Sequence, residues 1–291
     1  MRNIDEHTIT PAVLARLAYT PNPRLKEILG ALVTHLHDFA REVKLTEEEW
    51  LAGIQYLTAT GQKCKDTRQE FILLSDTLGL SMLVVAMNHA KPAGATEATV
   101  FGPFHTTDAP LLDQGADLAA GAPGTPLFVE GQVNDLEGRP VANAEVDVWQ
   151  ADEAGLYDVQ RPELGDRRRA RGVLRTDAQG RVRFRTIDPV AYPIPTDGPV
   201  GVMLTATARH PWRPAHVHFM VKAAGFQPLV THIFRDGDAY LDSDAVFGVR
   251  SSLIGDFVRH EAGTAPDGTP MSEPFYTLKQ TFTLAPVAGA L

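Results

Sequence analysis

Leu127-Phe-Val-Glu-Gly-Gln-Val133 and Ala144-Glu-Val-Asp-Val-Trp149 place apolar residues at alternate positions, with Asp135-Leu-Glu-Gly138 as a turn signal between them. Successive side chains of a strand point to opposite faces, so both stretches read as half-buried strands, and the turn predicts that they pair. The alternation recurs at Gly180-Arg-Val-Arg-Phe-Arg185, Val200-Gly-Val-Met-Leu-Thr-Ala206, Ala215-His-Val-His-Phe-Met-Val-Lys222, Leu229-Val-Thr-His-Ile-Phe234 and Phe275-Tyr-Thr-Leu-Lys-Gln-Thr-Phe-Thr283. Short strands at regular spacing, separated by turn residues, predict an antiparallel β-sandwich.

Upstream the period changes. Leu25, Ile28, Leu29, Leu32, Val33 and Leu36 lie on one face of a helix. Thr46-Glu-Glu-Glu49 is a capping-box pattern ahead of Trp50, Leu51 and Ile54, Asp66-Thr67 marks the start of a helical segment running to about Asn88, and Pro21 and Pro23 separate earlier helices. From about Lys91 the texture turns to Pro, Gly and Thr, and Ala109 to Pro126 reads as irregular loop. The fold class expected is therefore α+β: an all-helical N-terminal domain over 1–95 and a β-sandwich domain over 96–291.

Composition narrows the functional classes. In 291 residues, 44 % hydrophobic, there is one cysteine, Cys64, so neither a disulfide framework nor a Cys-based zinc or iron–sulfur site can be built from one chain. With 27 Lys+Arg against 36 Asp+Glu, the net charge of −9 offers no general grip on phosphate backbones, and nucleic acid is not an expected partner. No apolar run reaches the roughly 18 residues of a membrane span, and Met1-Arg-Asn-Ile-Asp-Glu-His7 lacks the apolar stretch of a secretory signal. These features together predict a cytoplasmic protein.

The densest chemical signal is Arg213-Pro-Ala-His-Val-His-Phe219. In a strand, His216 and His218 point the same way and can chelate one metal ion, although two packed histidines would give the same pattern. Only six tyrosines occur, and two occupy loops at strand exits, in Gly155-Leu-Tyr-Asp158 and Pro189-Val-Ala-Tyr-Pro-Ile-Pro195. A phenolate is a hard anionic donor suited to Fe(III), while a tyrosine taken alone reads more often as a loop anchor with its hydroxyl on the backbone.

Set in these motifs, Tyr157, Tyr192, His216 and His218 resemble the four iron ligands of the intradiol ring-cleavage dioxygenases. The resemblance extends over roughly residues 1–285. It includes Val100-Phe-Gly-Pro-Phe104, Gly131-Gln-Val through Val148-Trp-Gln-Ala151, and the run from Leu174 to Leu253 of the catechol-type branch. Phe71-Ile-Leu-Leu-Ser-Asp-Thr-Leu-Gly-Leu-Ser81 and Val230-Thr-His-Ile-Phe-Arg-Asp-Gly-Asp238 look most like the hydroxyquinol 1,2-dioxygenases. What the resemblance implies is one Fe(III) per subunit and cleavage of an aromatic diol or triol by O2, with Tyr192 as the ligand displaced by substrate and proton acceptor, and Arg213 as a fixed cation beside the ring.

It further assigns the substrate wall to Leu73, Asp76, Val100, Phe101, Gly102, Pro103, Phe104, Ile194, Pro195, His232 and Val246. Asp76 is the expected acceptor for the third hydroxyl of hydroxyquinol, benzene-1,2,4-triol, whose product would be maleylacetate. The alternatives are catechol or a chlorocatechol, giving cis,cis-muconates, and, from a different class, a non-catalytic β-sandwich binding module. The helical region is expected to form a homodimer, with a phospholipid at the interface.

Overall fold

The computed structural model describes residues 2–66, 68–119 and 121–287. By packing, the chain divides into two compact units, one ending at Ala59 and the other beginning at Thr60.

The first unit is helical. Helix α1 spans Ile9–Leu17, α2 Pro23–Glu42, and α3, Glu47–Lys63, runs through the division. Pro23 occupies the first turn of α2, where its missing N–H costs nothing, and Asn22 Oδ1 accepts from Leu25 N at 3.0 Å. The capping box at α3 is complete: Thr46 N donates to Glu49 Oε2 at 2.9 Å and Glu49 N to Thr46 Oγ1 at 3.2 Å. Helix α1 is tied to α2 through Thr10 Oγ1 and His37 Nδ1, 2.9 Å apart. Leu25, Ile28, Leu32, Leu36 and Phe39, spaced three or four apart along α2, remain about half exposed.

In the second unit, α4 (Glu70–Thr77) and α5 (Leu80–Asn88) replace the single helical segment expected up to Asn88. The break falls at Gly79, with φ 74°, a conformation that glycine adopts without a Cβ penalty. Of the predicted start at Asp66-Thr67, Thr67 lies outside the described residues, and α4 begins at Glu70 after Gln69. Composition shifts near residue 95, yet α4 packs with the sandwich unit. Fully buried Glu70 accepts from Arg68 Nη2 at 2.8 Å and from Val200 N at 3.2 Å, at the start of α6 (Pro199–Ala206).

That helix corrects the strand expected at Val200–Ala206. Gly198 and Pro199 set a helical first turn, and Val200, Gly201 and Leu204 are buried at helical spacing. A run whose one polar side chain is Thr205 carries too little periodicity to separate the two states.

The sandwich strands are β1 (Pro126–Asn134), β2 (Glu145–Trp149), β3 (Arg171–Arg175), β4 (Arg181–Ile187), the short pair β5 (Tyr192–Pro193) and β6 (Trp212–Arg213), β7 (His216–Lys222), β8 (Leu229–Arg235), β9 (Ile254–Gly255), β10 (Phe257–His260), the short pair β11 (Gly263–Thr264) and β12 (Pro270–Met271), and β13 (Phe275–Thr283). One sheet has the order β10-β13-β1-β4, the other β3-β2-β7-β8-β9. Pairing is antiparallel except for β1 with β13 and β8 with β9, which are parallel. The expected pairing of β1 with β2 does not form, because the two strands lie in opposite sheets. Asp135–Gly138 does turn the chain, with Gly138 N donating to Asp135 O at 3.1 Å, but after Val141 the backbone crosses over at Asn143, φ 56°. The long strands of the two sheets bury apolar faces that meet across the core: Val129, Val133, Phe184, Leu278 and Phe282 from one sheet, Val146, Val148, Val217, Phe219 and Ile233 from the other.

The register decides what remains on the outer face of the five-stranded sheet. Trp149 of β2 stands opposite His218 of β7, which stands opposite His232 of β8. With Val217 and Phe219 in the core, period 2 sends His216 and His218 outward, beneath the loops that follow β2 and precede β1.

Candidate metal centre and substrate pocket

Tyr157 is held in the loop after β2 by a short 3₁₀ turn over Asp158–Gln160. Its N–H donates to Gln160 Oε1 at 2.9 Å and its carbonyl accepts from Gln160 N at 2.9 Å. Behind it, Asp158 receives Arg171 Nε at 3.1 Å and Nη2 at 2.7 Å, and the same Nη2 reaches Phe104 O at 2.7 Å. Phe104 in turn stacks on Tyr157, centroids 4.5 Å apart and planes at 25°. Tyr192 comes from β5, whose register sets it opposite Arg213 of β6. Room for it depends on Gly155, φ 74°, where a Cβ would stand 2.7 Å from that of Tyr192.

Four donor atoms converge from these elements. Tyr157 Oη lies 2.8 Å from His218 Nε2 and 3.0 Å from Tyr192 Oη, and His218 Nε2 lies 3.2 Å from His216 Nε2. All four residues are 5 % exposed or less. His216 Nδ1 faces Pro214 O at 2.7 Å, so it carries the proton and leaves Nε2 as a lone pair aimed at the other donors. Ligands about 2 Å from a shared first-row ion stand roughly 3 Å from each other when at right angles, the spacing seen here. A buried convergence of phenol oxygens and imidazole lone pairs, with no carboxylate among them, suits a hard, highly charged cation.

Burial, with Arg213 close by, pushes His216 down to about 3, and burial with His232 and His216 nearby holds His218 well below the usual imidazole range. Burial and the neighbouring Tyr192 push the Tyr157 phenol up. Burial thus favours the neutral forms of Tyr157, His216 and His218, and a cation is what would ionise the Tyr157 phenol. His232 sits against both histidines, 4.0 Å from His218 and 4.8 Å from His216 between centroids, with Nδ1 3.4 Å from Arg213 Nη2.

Residues 100–283 match the family model described as Dioxygenase, and residues 22–96 the one described as Catechol dioxygenase N terminus. The 6-chlorohydroxyquinol 1,2-dioxygenase of Cupriavidus pinatubonensis is 64 % identical over 264 residues, 91 % of this chain and 95 % of that one. The chain belongs to the intradiol ring-cleavage dioxygenases. Hydroxyquinol 1,2-dioxygenase of Nocardioides simplex is 49 % identical over 282 residues, covering 97 % of this chain and 96 % of its own. The crystal structure of hydroxyquinol 1,2-dioxygenase from Pseudomonas putida superposes with a TM-score of 0.89 at 48 % identity, covering 97 % of this chain and 99 % of that one. Intradiol dioxygenases are enzymes that work with non-haem iron, so the reading as a non-catalytic binding module is set aside.

A cavity of about 200 Å³ opens beside the donor cluster of this intradiol dioxygenase. Engineered apolar cavities of about 150 Å³ take up benzene, so one substituted ring fits. Its lining includes Leu73, Asp76, Val100, Gly102, Pro103, Phe104, Ile194, Pro195 and Val246, all expected from the sequence, together with Tyr192 and Arg213. Phe101 does not line it. That ring packs behind the wall against His105 and Trp149, at 4.8 and 5.8 Å between centroids. His232 also stays behind the wall, fully buried. A larger groove, about 570 Å³, lies on the outer face of the other sheet and holds none of these residues.

Several contributors escape sequence reasoning. Arg68, Gln69, Glu70, Val159 and Gln160 complete the lining. Trp149 lies flat on His218, 4.7 Å between centroids and 16° between planes. Asp244 binds Arg213, with Nε to Oδ1 at 3.1 Å. A signal exists for Arg171, since a charged residue that opens a strand otherwise apolar at Val173 and Leu174 implies a buried partner.

Proposed function

We propose that this dioxygenase cleaves hydroxyquinol between its two adjacent hydroxyl-bearing carbons, both atoms of O2 entering the product, maleylacetate. The observation that carries the substrate assignment is Asp76. It is a carboxylate only 4 % exposed on an otherwise largely apolar stretch of cavity wall. Burial raises it above the usual carboxylate range, against a hydrogen bond from Ser81 and the charge of Arg213. A third ring hydroxyl would add a partner to the one supplied by Ser81, whereas catechol would leave the carboxyl under-satisfied in a dry site, which is a basis for discrimination. Relatives named for hydroxyquinol or chlorohydroxyquinol support the same reading.

In this reading Tyr157, Tyr192, His216 and His218 hold one ferric ion per subunit. Bound there, the ion supplies the Lewis acidity that lowers both diol pKa values and makes the ring reactive toward O2. Tyr192 belongs both to the donor cluster and to the cavity wall, so its Oη is the group within reach of an incoming diol proton. Arg213, 4 % exposed, presents a fixed guanidinium at the cavity and stabilises negative charge developing on the ring. Leu73, Val100, Phe104, Ile194 and Val246 exclude water around it. The helical N-terminal region is assigned to a homodimer, the half-exposed apolar stripe of α2 being the surface to be covered, with a phospholipid as a further occupant.

O2 uptake with benzene-1,2,4-triol and with catechol, using His216→Ala as the blank for autoxidation, tests the assignment. Fast uptake with the triol and little with catechol is the expected result. Preference for catechol or a chlorocatechol overturns the role of Asp76 and leaves the iron site standing.

A further inference from the structure

Asp244 is a buried acid beside the cavity with both carboxylate oxygens doubly occupied. Oδ1 accepts from Arg213 Nε at 3.1 Å and Val246 N at 3.3 Å. Oδ2 accepts from Gly248 N at 2.9 Å and Arg213 Nη2 at 3.3 Å. The remaining edge of the guanidinium is directed by this grip: Nη1 is brought to 3.2 Å from His216 Nε2, at the rim of the donor cluster, and Nη2 donates to His232 Nδ1 at 3.4 Å. The loop that carries Asp244 is itself fixed to the cavity wall. Gly248 O accepts from Thr99 Oγ1 at 2.6 Å, next to Val100, and Val246 lines the cavity. The enclosure is tight, because a Cβ on Gly248 would meet Arg213 Nη2 at 3.1 Å and Asp244 Oδ2 at 3.2 Å.

We propose that Asp244 is the positioning residue for Arg213: it fixes the plane of the guanidinium against the donor cluster and couples that plane to the substrate wall through Val246 and Gly248. A guanidinium has five donors in a rigid fork, so holding two of them aims the other three. Arg213 without Asp244 keeps its charge and loses its direction. The cost then falls on turnover, since a preorganised charge acts in the transition state, rather than on iron retention or substrate affinity. This inference rests on the role given to Arg213 above.

The test is a double-mutant cycle in the iron-replete full-length protein, using Asp244→Asn, Arg213→Gln and the pair. Measured quantities are kcat and KM for benzene-1,2,4-triol, iron per chain, and the visible tyrosinate charge-transfer band. For Asp244→Asn, kcat is expected to fall about 30-fold or more with KM within about threefold, and iron and band unmoved. The double variant should be no slower than Arg213→Gln within about threefold, because both changes remove one interaction. Asp244→Glu, which keeps the carboxylate, should recover part of the lost kcat, and it carries the test if the amide variant does not fold: its kcat should still fall below wild type with KM and band unmoved. Unchanged kcat in the Asp244 variants, losses that multiply in the pair, or loss of iron or colour on Asp244→Asn would overturn the proposal. Full activity in Arg213→Gln would overturn the role of Arg213 itself, which is a separate outcome.

Discussion

Arg171 and Asp158 form an ion pair entirely out of water, each side chain 1 % exposed, with Nη2 2.7 Å from Oδ1. The pair stands directly behind Tyr157, and its arginine also holds the carbonyl of Phe104, so one guanidinium secures both the tyrosine loop and the ring stacked on it. Removing one partner leaves the other charge buried and unpaired. Arg171→Met is therefore expected to destabilise the protein by about 3–5 kcal/mol. Urea unfolding followed by circular dichroism measures it, and a loss below about 1 kcal/mol would show that the pair relaxes into solvent.

Two glycines with nearly the same backbone angle make a controlled comparison. Gly155 (φ 74°) faces the Tyr192 side chain, whereas at Gly138 (φ 77°) a Cβ would meet nothing within 4 Å. Alanine at 138 should cost only the backbone term of about 1–2 kcal/mol, with iron and colour retained. Alanine at 155 should in addition displace Tyr192 and lower iron per chain and the visible band. Equal iron content in the two variants would contradict the packing described.

Metal removal gives a direct test of the four donors. Chelation under mild denaturant should bleach the protein and abolish O2 uptake, and added iron should restore both. Tyr157→Phe and His218→Ala should not hold iron after dialysis. Retained colour and activity in either would sink the ligand assignment.

Asp76 predicts opposite effects on activity and stability. A carboxyl raised in the folded state favours folding while it is protonated, and that contribution is lost as pH rises through the folded pKa. Asp76→Asn removes the cost of ionising a buried acid. The variant should have a higher Tm than wild type near neutral pH, with the difference vanishing below the unfolded value of about 3.8, while kcat/KM for the triol falls about 10- to 100-fold. Differential scanning calorimetry across pH decides the sign, and a Tm gap that widens toward low pH contradicts it.

The parts of this molecule governed by local periodicity are legible in its sequence. Alternation sends His216 and His218 to one face of β7, and the structure puts both beside Tyr157 and Tyr192. The half-exposed stripe of α2 and the capping box of Thr46 are read equally directly. What failed depends on partners distant in the chain. Alternation says that β1 and β2 each have an apolar face, but not that the faces oppose each other across a sandwich. The run Val200–Ala206 is apolar apart from Thr205 and takes its state from Gly198, Pro199 and the acceptor Glu70 far upstream. Asp244 is an acid in a loop of acids, and only its arginine, 31 residues earlier, distinguishes it.

The register that lines up Trp149, His218 and His232 across three strands ties the core and the donor cluster to one choice of frame. Slippage of β7 by a single residue would turn His216 and His218 into the core and bring Val217 and Phe219 to the outer face. The frame of β7 that closes the hydrophobic core is therefore the same frame that brings His216 and His218 to Tyr157 and Tyr192, and neither can be shifted without losing the other.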